Sequence, residues 1–150
     1  MRFLLGLVFA LSPLAAHAAT FPFGLDALRW HMTPDAASGA FAPLKVHGKQ
    51  ISGDPLPFVM LDGYVWRTCR LGIAFNFDTG GLSMITLDVR SGGAACNKAA
   101  VAEVFAHYGA ARPAFNLPWH RIWRTPDTEA SYSRIWRSSI FEITLRRSER

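Results

Sequence analysis

The chain has 150 residues, half of them hydrophobic, with five tryptophans and a net charge of +5. That composition excludes a disordered tail, and the length allows one ordinary domain with room for a core. The only long apolar run is N-terminal, so no spanning segment is expected in the rest of the chain.

That run opens MRFLLGLVFALSPLAAHAAT. Arg2 precedes apolar residues from Phe3 to about Ala16, and Ala16-His17-Ala18 supplies small residues where a leader peptidase cuts. The reading is a secretory signal peptide over residues 1–18 and a single domain over 19–150. A transmembrane anchor is the competing reading, but Ser12-Pro13 interrupts the run and it falls short of ~20 apolar residues. The expected location is therefore periplasmic or secreted. No cysteine follows the leader to carry a lipid.

Export makes a disulfide the expected fate of the two cysteines, Cys69 and Cys96. A redox pair or a metal site fits less well, because there is no CxxC and no histidine beside either cysteine.

In chain order, Thr33-Pro34-Asp35 is a helix-start signal: a hydroxyl to cap, proline in the first turn and an acid to meet the dipole. Gly39 limits that helix to a turn or two. Leu25, Leu28 and Trp30 are spaced to pack ahead of it, as a short helix or an irregular strand. Residues from Lys45 to Pro57 read as a loop with one edge strand. Phe58 to Leu61 reads as a short strand, closed at Asp62-Gly63, a strong hairpin dipeptide.

Val65, Cys69, Leu71, Ile73, Phe75 and Phe77 then share one parity, with Arg67 as the exception. This period of two marks a strand with one face on the core. Asp78-Thr79-Gly80-Gly81 turns the chain and Leu82 to Val89 returns it. So short a link makes the pair antiparallel. Asn97 is placed to cap a helix carrying Val101, Val104, Phe105 and Tyr108 on one face, with Gly109 and Pro113 ending it. Strands follow: one around Arg121, Trp123 and Thr125, a turn at Thr125-Pro126-Asp127, then Ser131 to Arg137 and Ile140 to Arg147, separated by a turn or bulge at Ser138-Ser139.

The expected fold is α+β: an antiparallel sheet packed against one main helix and a short N-terminal helix. GAFAP at 39–43 and GAARP at 109–113 each follow a helix signal and lead into strands, which suggests two tandem helix-plus-strands units.

Chemistry-bearing motifs are sparse. Glu103 and His107, four apart on one helix face, could form half of a metal site, but nothing in the sequence completes it, and a solvated helix-face pair is the favoured reading. Asp78 and Asp88, flanking a turn, could serve as paired carboxylates for hydrolysis, but turn chemistry and solvent-facing strand positions explain both more simply. There is no GxSxG elbow and no phosphate-binding glycine loop. The expectation is a protein without catalytic activity, cofactor or metal.

From Arg112 onward eight arginines stand against four acids, interleaved with tryptophan in WHRIWR at 119–124 and SRIWR at 133–137. Trp119, Arg121, Trp123, Arg134 and Trp136 are the candidate binding residues, with tryptophans to stack on a partner and arginines around them. The alternative places the tryptophans in the core and the arginines on a wet face. Arg121 shares parity with Trp119 and Trp123, so the first segment is not cleanly amphipathic. A basic half can attract nucleic acid, lipid headgroups or an acidic protein face. For an exported domain the expected partner is another envelope or secreted protein rather than nucleic acid.

Phe23-Gly24-Leu25, Trp30, Met32-Thr33-Pro34 and Tyr108-Gly109 with Pro113 form a layout that resembles small periplasmic α+β modules. It is similar to outer-membrane-assembly small lipoproteins and β-lactamase-inhibitory proteins. The resemblance implies protein binding through a sheet face, without catalysis. It implies no site residue, and the missing lipid-anchor cysteine and the short first helix depart from it. The functional expectation is a binding or inhibitory module. A hydrolase acting on an anionic polymer and a structural envelope protein are the alternatives.

Overall fold

The computed structural model describes residues 21–52, 57–91, 93–109, 115–117, 119–134 and 141–148. The expected leader at residues 1–18, Trp136, Ser138-Ser139 and most of the GAARP echo lie outside these residues.

The chain builds α1 (Pro34–Ala40), α2 (Ala42–His47), β1 (Lys49–Ser52), β2 (Phe58–Trp66), β3 (Cys69–Asp78) and β4 (Gly81–Ser91). Then come α3 (Gly93–Tyr108), β5 (Phe115–Leu117), β6 (His120–Arg124), β7 (Thr128–Arg134) and β8 (Phe141–Arg147). The strands form one eight-stranded antiparallel sheet in the order β1-β2-β3-β4-β8-β7-β6-β5. The class is α+β, and the architecture is a helical segment followed by four strands, twice.

The two units join where their last strands, β4 and β8, pair antiparallel about Thr86 and Thr144. Both strands carry Ile-Thr-Leu there, at 85–87 and 143–145. The pairing therefore has an approximate two-fold axis through the threonines.

Local chemistry accounts for the elements. Thr33 caps α1 by accepting from the Ala36 amide at 3.2 Å, with Pro34 and Asp35 in the first turn. α2 was not expected; it is six residues long, too short for a periodic pattern, and Pro43 in its first turn gives the start signal. Residues 21–33 form turns and bends. They are held by the Tyr64 hydroxyl donating to the Phe23 carbonyl at 3.1 Å and by Trp30 Nε1 donating to Thr128 Oγ1 at 2.9 Å.

Three expectations are corrected. Asp62-Gly63 is not a hairpin turn. β2 runs through it, the register shifts between Leu61 and Tyr64, and Gly63 takes φ 72° as part of a bulge. The turn is at Arg67-Thr68, where Arg67 adopts φ 54°. This explains why Arg67 broke the alternation: it lies between two strands. The main helix starts at Gly93, so Asn97 is inside it rather than its cap, and Cys96 is in its first turn. β7 begins at Thr128 rather than Ser131, because the Thr125–Asp127 turn leads directly into it.

One face of the sheet carries the core. Val59, Phe75, Ile85, Leu145, Ala130 and Trp123 form one row across six strands, and Leu61, Ile73, Leu87, Ile143 and Tyr132 form the next. Both helical segments pack on this face. Phe41, between α1 and α2, meets Phe75 at 6.4 Å, and Phe105 of α3 meets Trp123 edge-on at 5.0 Å. Cys69 and Cys96 are bonded, with Cα atoms 5.7 Å apart, so the start of β3 is tied covalently to the first turn of α3. Beside the disulfide, the Arg67 guanidinium lies 4.5 Å over the Trp66 ring and donates to Glu103 at 2.9 Å.

Candidate functional site

The five candidate residues separate in the structure. Trp123 is fully buried and belongs to the core, so the expectation that it contacts a partner is corrected there. Its parity decides this: Trp123 faces Ala130, which faces Leu145, and all three point to the helices. Arg121 has the same parity. Its guanidinium lies 5.0 Å over the Phe105 ring, and its buried Nε has no hydrogen-bond partner among the described residues. It extends the core row and reaches water at its tip.

Trp119 is 56% exposed at the start of β6. Its carbonyl accepts from the Arg134 amide at 2.9 Å, which places exposed Arg134 beside it at the same end of the sheet. Trp136 lies outside the described residues. The aromatic-basic surface thus reduces to a corner of Trp119, Arg121 and Arg134.

The opposite face of the sheet is larger, and no helix of the described residues lies on it. Its central row is Met60, Ala74, Thr86, Thr144, Ser131 and Ile122, all half-buried and alternating with the core residues. To one side run Gly72, Asp88, Glu142, Ser133 and His120; to the other run Phe58, Asn76, Met84, Arg146, Glu129 and Arg124. The sequence pointed to this face only through its parity, because its residues are individually unremarkable.

Charges on the bare face are partly paired. Arg124 holds Glu129 at 2.7 Å, and Arg90 lies 3.3 Å from Asp88 and 4.0 Å from Asp62. Gly72 makes room for Arg90, since a Cβ there would stand 2.5 Å from the Arg90 Nε. Asp78 is a turn residue that accepts from the Gly80 amide and from Arg147, both at 2.7 Å. It sits opposite Gly81, whereas Asp88 is opposite Gly72, so the two aspartates are not a catalytic pair.

The hydroxyl of Ser133 lies 2.6 Å from His120 Nδ1, a contact between adjacent strands that the sequence did not show. A hydroxyl on an imidazole becomes a nucleophile only within a larger constellation, with donors aimed at a developing oxyanion. Here the amides of β6 and β7 are committed to the ladder, so the pair is a polar rung of the face. Among the described residues no three His, Cys, Asp or Glu side chains could hold a metal ion. Glu103, half of the sequence's possible metal pair, is bound to Arg67. Nothing among the described residues points to an enzyme.

Both edges of the sheet are blunted. β1 is four residues long, starts with a lysine and has a register shift; β5 is three residues long. Short, charged and irregular edges resist addition of a further strand. No helix among the described residues is long and apolar enough to cross a membrane. Comparison of the chain with protein-family models, with curated proteins and with solved structures finds no match in any of the three.

Proposed function

We propose that this chain is a periplasmic or secreted protein-binding or inhibitory module. Its contact surface is the helix-free face of the sheet. The observation that carries the reading is the asymmetry of the sheet: helices and disulfide crowd one face, while the other is bare and both edges are blunted. Eight strands at ~4.8 Å spacing make that face roughly 34 Å wide. This is the scale of a standard protein interface, ~800 Å² per partner. The leader-like residues 1–18 and the Cys69–Cys96 disulfide support export. The resemblance to sheet-face binding modules supports the mode of contact.

The test is capture from a periplasmic extract. Wild type should retain a partner that Thr86→Arg and Thr144→Arg lose. Lys98→Glu, exposed on α3, should retain it. A partner held equally by the threonine variants would sink the reading, as would a chain recovered from the cytosol with free thiols.

A further inference from the structure

Of the charged side chains near the middle of the bare face, Asp88 and Glu129 have arginines within 4.0 Å, but Glu142 and Arg146 do not form an ion pair with any described residue. Glu142 accepts from Thr144 Oγ1 at 3.2 Å, and among the described residues Arg146 reaches the Met84 sulfur, at 3.9 Å. These two charges flank Thr144 on β8, one on each side of the central row.

From this placement we infer that the bare face pairs with a second copy of this chain about a two-fold axis running along the central row. Such an axis lays each strand over its own counterpart and exchanges the two flanking rows. Glu142 then lies over Arg146 of the second copy and Arg146 over its Glu142, so both charges are satisfied by one operation. Met60 meets Met60 and Ile122 meets Ile122 at the two ends of the row. Between them Ala74, Thr86, Thr144 and Ser131 are small enough for close approach.

The other face-to-face choice, an axis along the strands between β4 and β8, would put Asp88 over Glu142 and set like charges together. The charge layout therefore selects one axis. An isologous contact of this kind is self-complementary and closes as a dimer. Packed sheets cross at roughly 30° because each is twisted, so registration is best at the centre, on β4 and β8, where Glu142 and Arg146 lie. The contact uses the face assigned above to a partner, so the dimer and the partner complex exclude each other.

Sedimentation velocity on the oxidised protein over a wide concentration range tests this. Wild type should dimerise. Glu142→Arg and Arg146→Glu should each weaken the dimer by about tenfold or more, since each breaks two symmetric pairs. The double variant should recover to within a few-fold of wild type, which a general folding defect would not produce. Thr144→Arg, on the axis, should abolish dimerisation. A monomer at every concentration overturns the inference, as does a dimer indifferent to the single charge reversals or a double variant as weak as the singles. A monomer that still captures a partner through the threonine row overturns self-pairing alone and leaves the binding-module reading standing.

Discussion

The ring of Phe105 meets the indole of Trp123 edge-on, with centroids 5.0 Å apart and planes at 81°. This contact joins the last turn of α3 to the second unit's half of the sheet. Trp123→Ala should therefore destabilise the fold by about 3–5 kcal/mol, the range for removing a large buried aromatic. Trp119→Ala, at an exposed site, should stay within about 0.5 kcal/mol of wild type. Urea unfolding of the two variants checks this. Equal losses would refute the assignment of one tryptophan to core and the other to surface.

The disulfide closes a sequence separation of 27 residues. The chain-entropy account gives roughly 3–4 kcal/mol for a loop of that length. Cys69→Ala with Cys96→Ala should lower unfolding stability by about that amount. Denaturation midpoints with and without reductant should show the wild type falling to the level of the double variant, and the double variant not moving.

Tyr108 carries a buried hydroxyl without a hydrogen-bond partner among the described residues. Burial, and secondarily the Asp127 carboxylate, push its pKa well above the usual tyrosine value. Tyr64 is raised in the same direction, by burial and then by Asp26. In the unfolded chain both phenols ionise near pH ~10, while in the folded protein they stay neutral. Their contribution to stability is thus complete below that pH and is lost as pH rises toward the folded values. Tyr108→Phe should leave stability at neutral pH unchanged or higher, because no hydrogen bond is broken. It should also make the alkaline decline shallower. Thermal unfolding scans from neutral to strongly alkaline pH measure both effects.

Arg147 fastens three separate segments. It donates to Asp78 at 2.7 Å and to the Gly80 carbonyl at 3.2 Å, and it lies 3.1 Å from His31 Nδ1. The backbone of His31 and Met32 presses against the same turn, bonding Leu82 in both directions at 3.2 and 2.8 Å. Gly81 permits that approach: its φ is 91°, and a Cβ there would stand 2.4 Å from the His31 carbonyl oxygen. Arg147→Ala should cost about 1.5–3 kcal/mol, the range for hydrogen bonds to charged groups. Gly81→Ala should cost more than about 1 kcal/mol through backbone strain and clash. Chemical denaturation measures both, and a neutral Gly81→Ala would contradict the turn geometry.

Much of this fold can be read from residue order because it rests on local periodicity. From Cys69 through Phe77 every second residue is buried, and Gly72 is the one buried residue of the other parity. Val104 and Tyr108 fall on the buried stripe of α3, with Val101 and Phe105 at its margin. The errors occur where two local signals compete. Asp62-Gly63 has turn chemistry, but Leu61 and Tyr64 still pair with β3, and tertiary pairing turns the dipeptide into a bulge. The candidate surface was harder to read, because alternation fixes parity but not which parity the helices cover. Trp123 and Trp119 share a parity in WHRIWR. One lies under Phe105 and the other lies at the strand's start, and no periodic signal separates them.

The seam between β4 and β8 also orders events in time. β4 is eleven residues long and central in the finished sheet, yet its neighbour on one side is β8, the last strand among the described residues. Until residues 141–147 arrive, an amino-terminal half that has already folded presents β4 as a long, unprotected edge, far longer than β1 or β5. Such an edge is a template for misassociation. A chain shortened by its final strand should consequently aggregate rather than survive as a stable half.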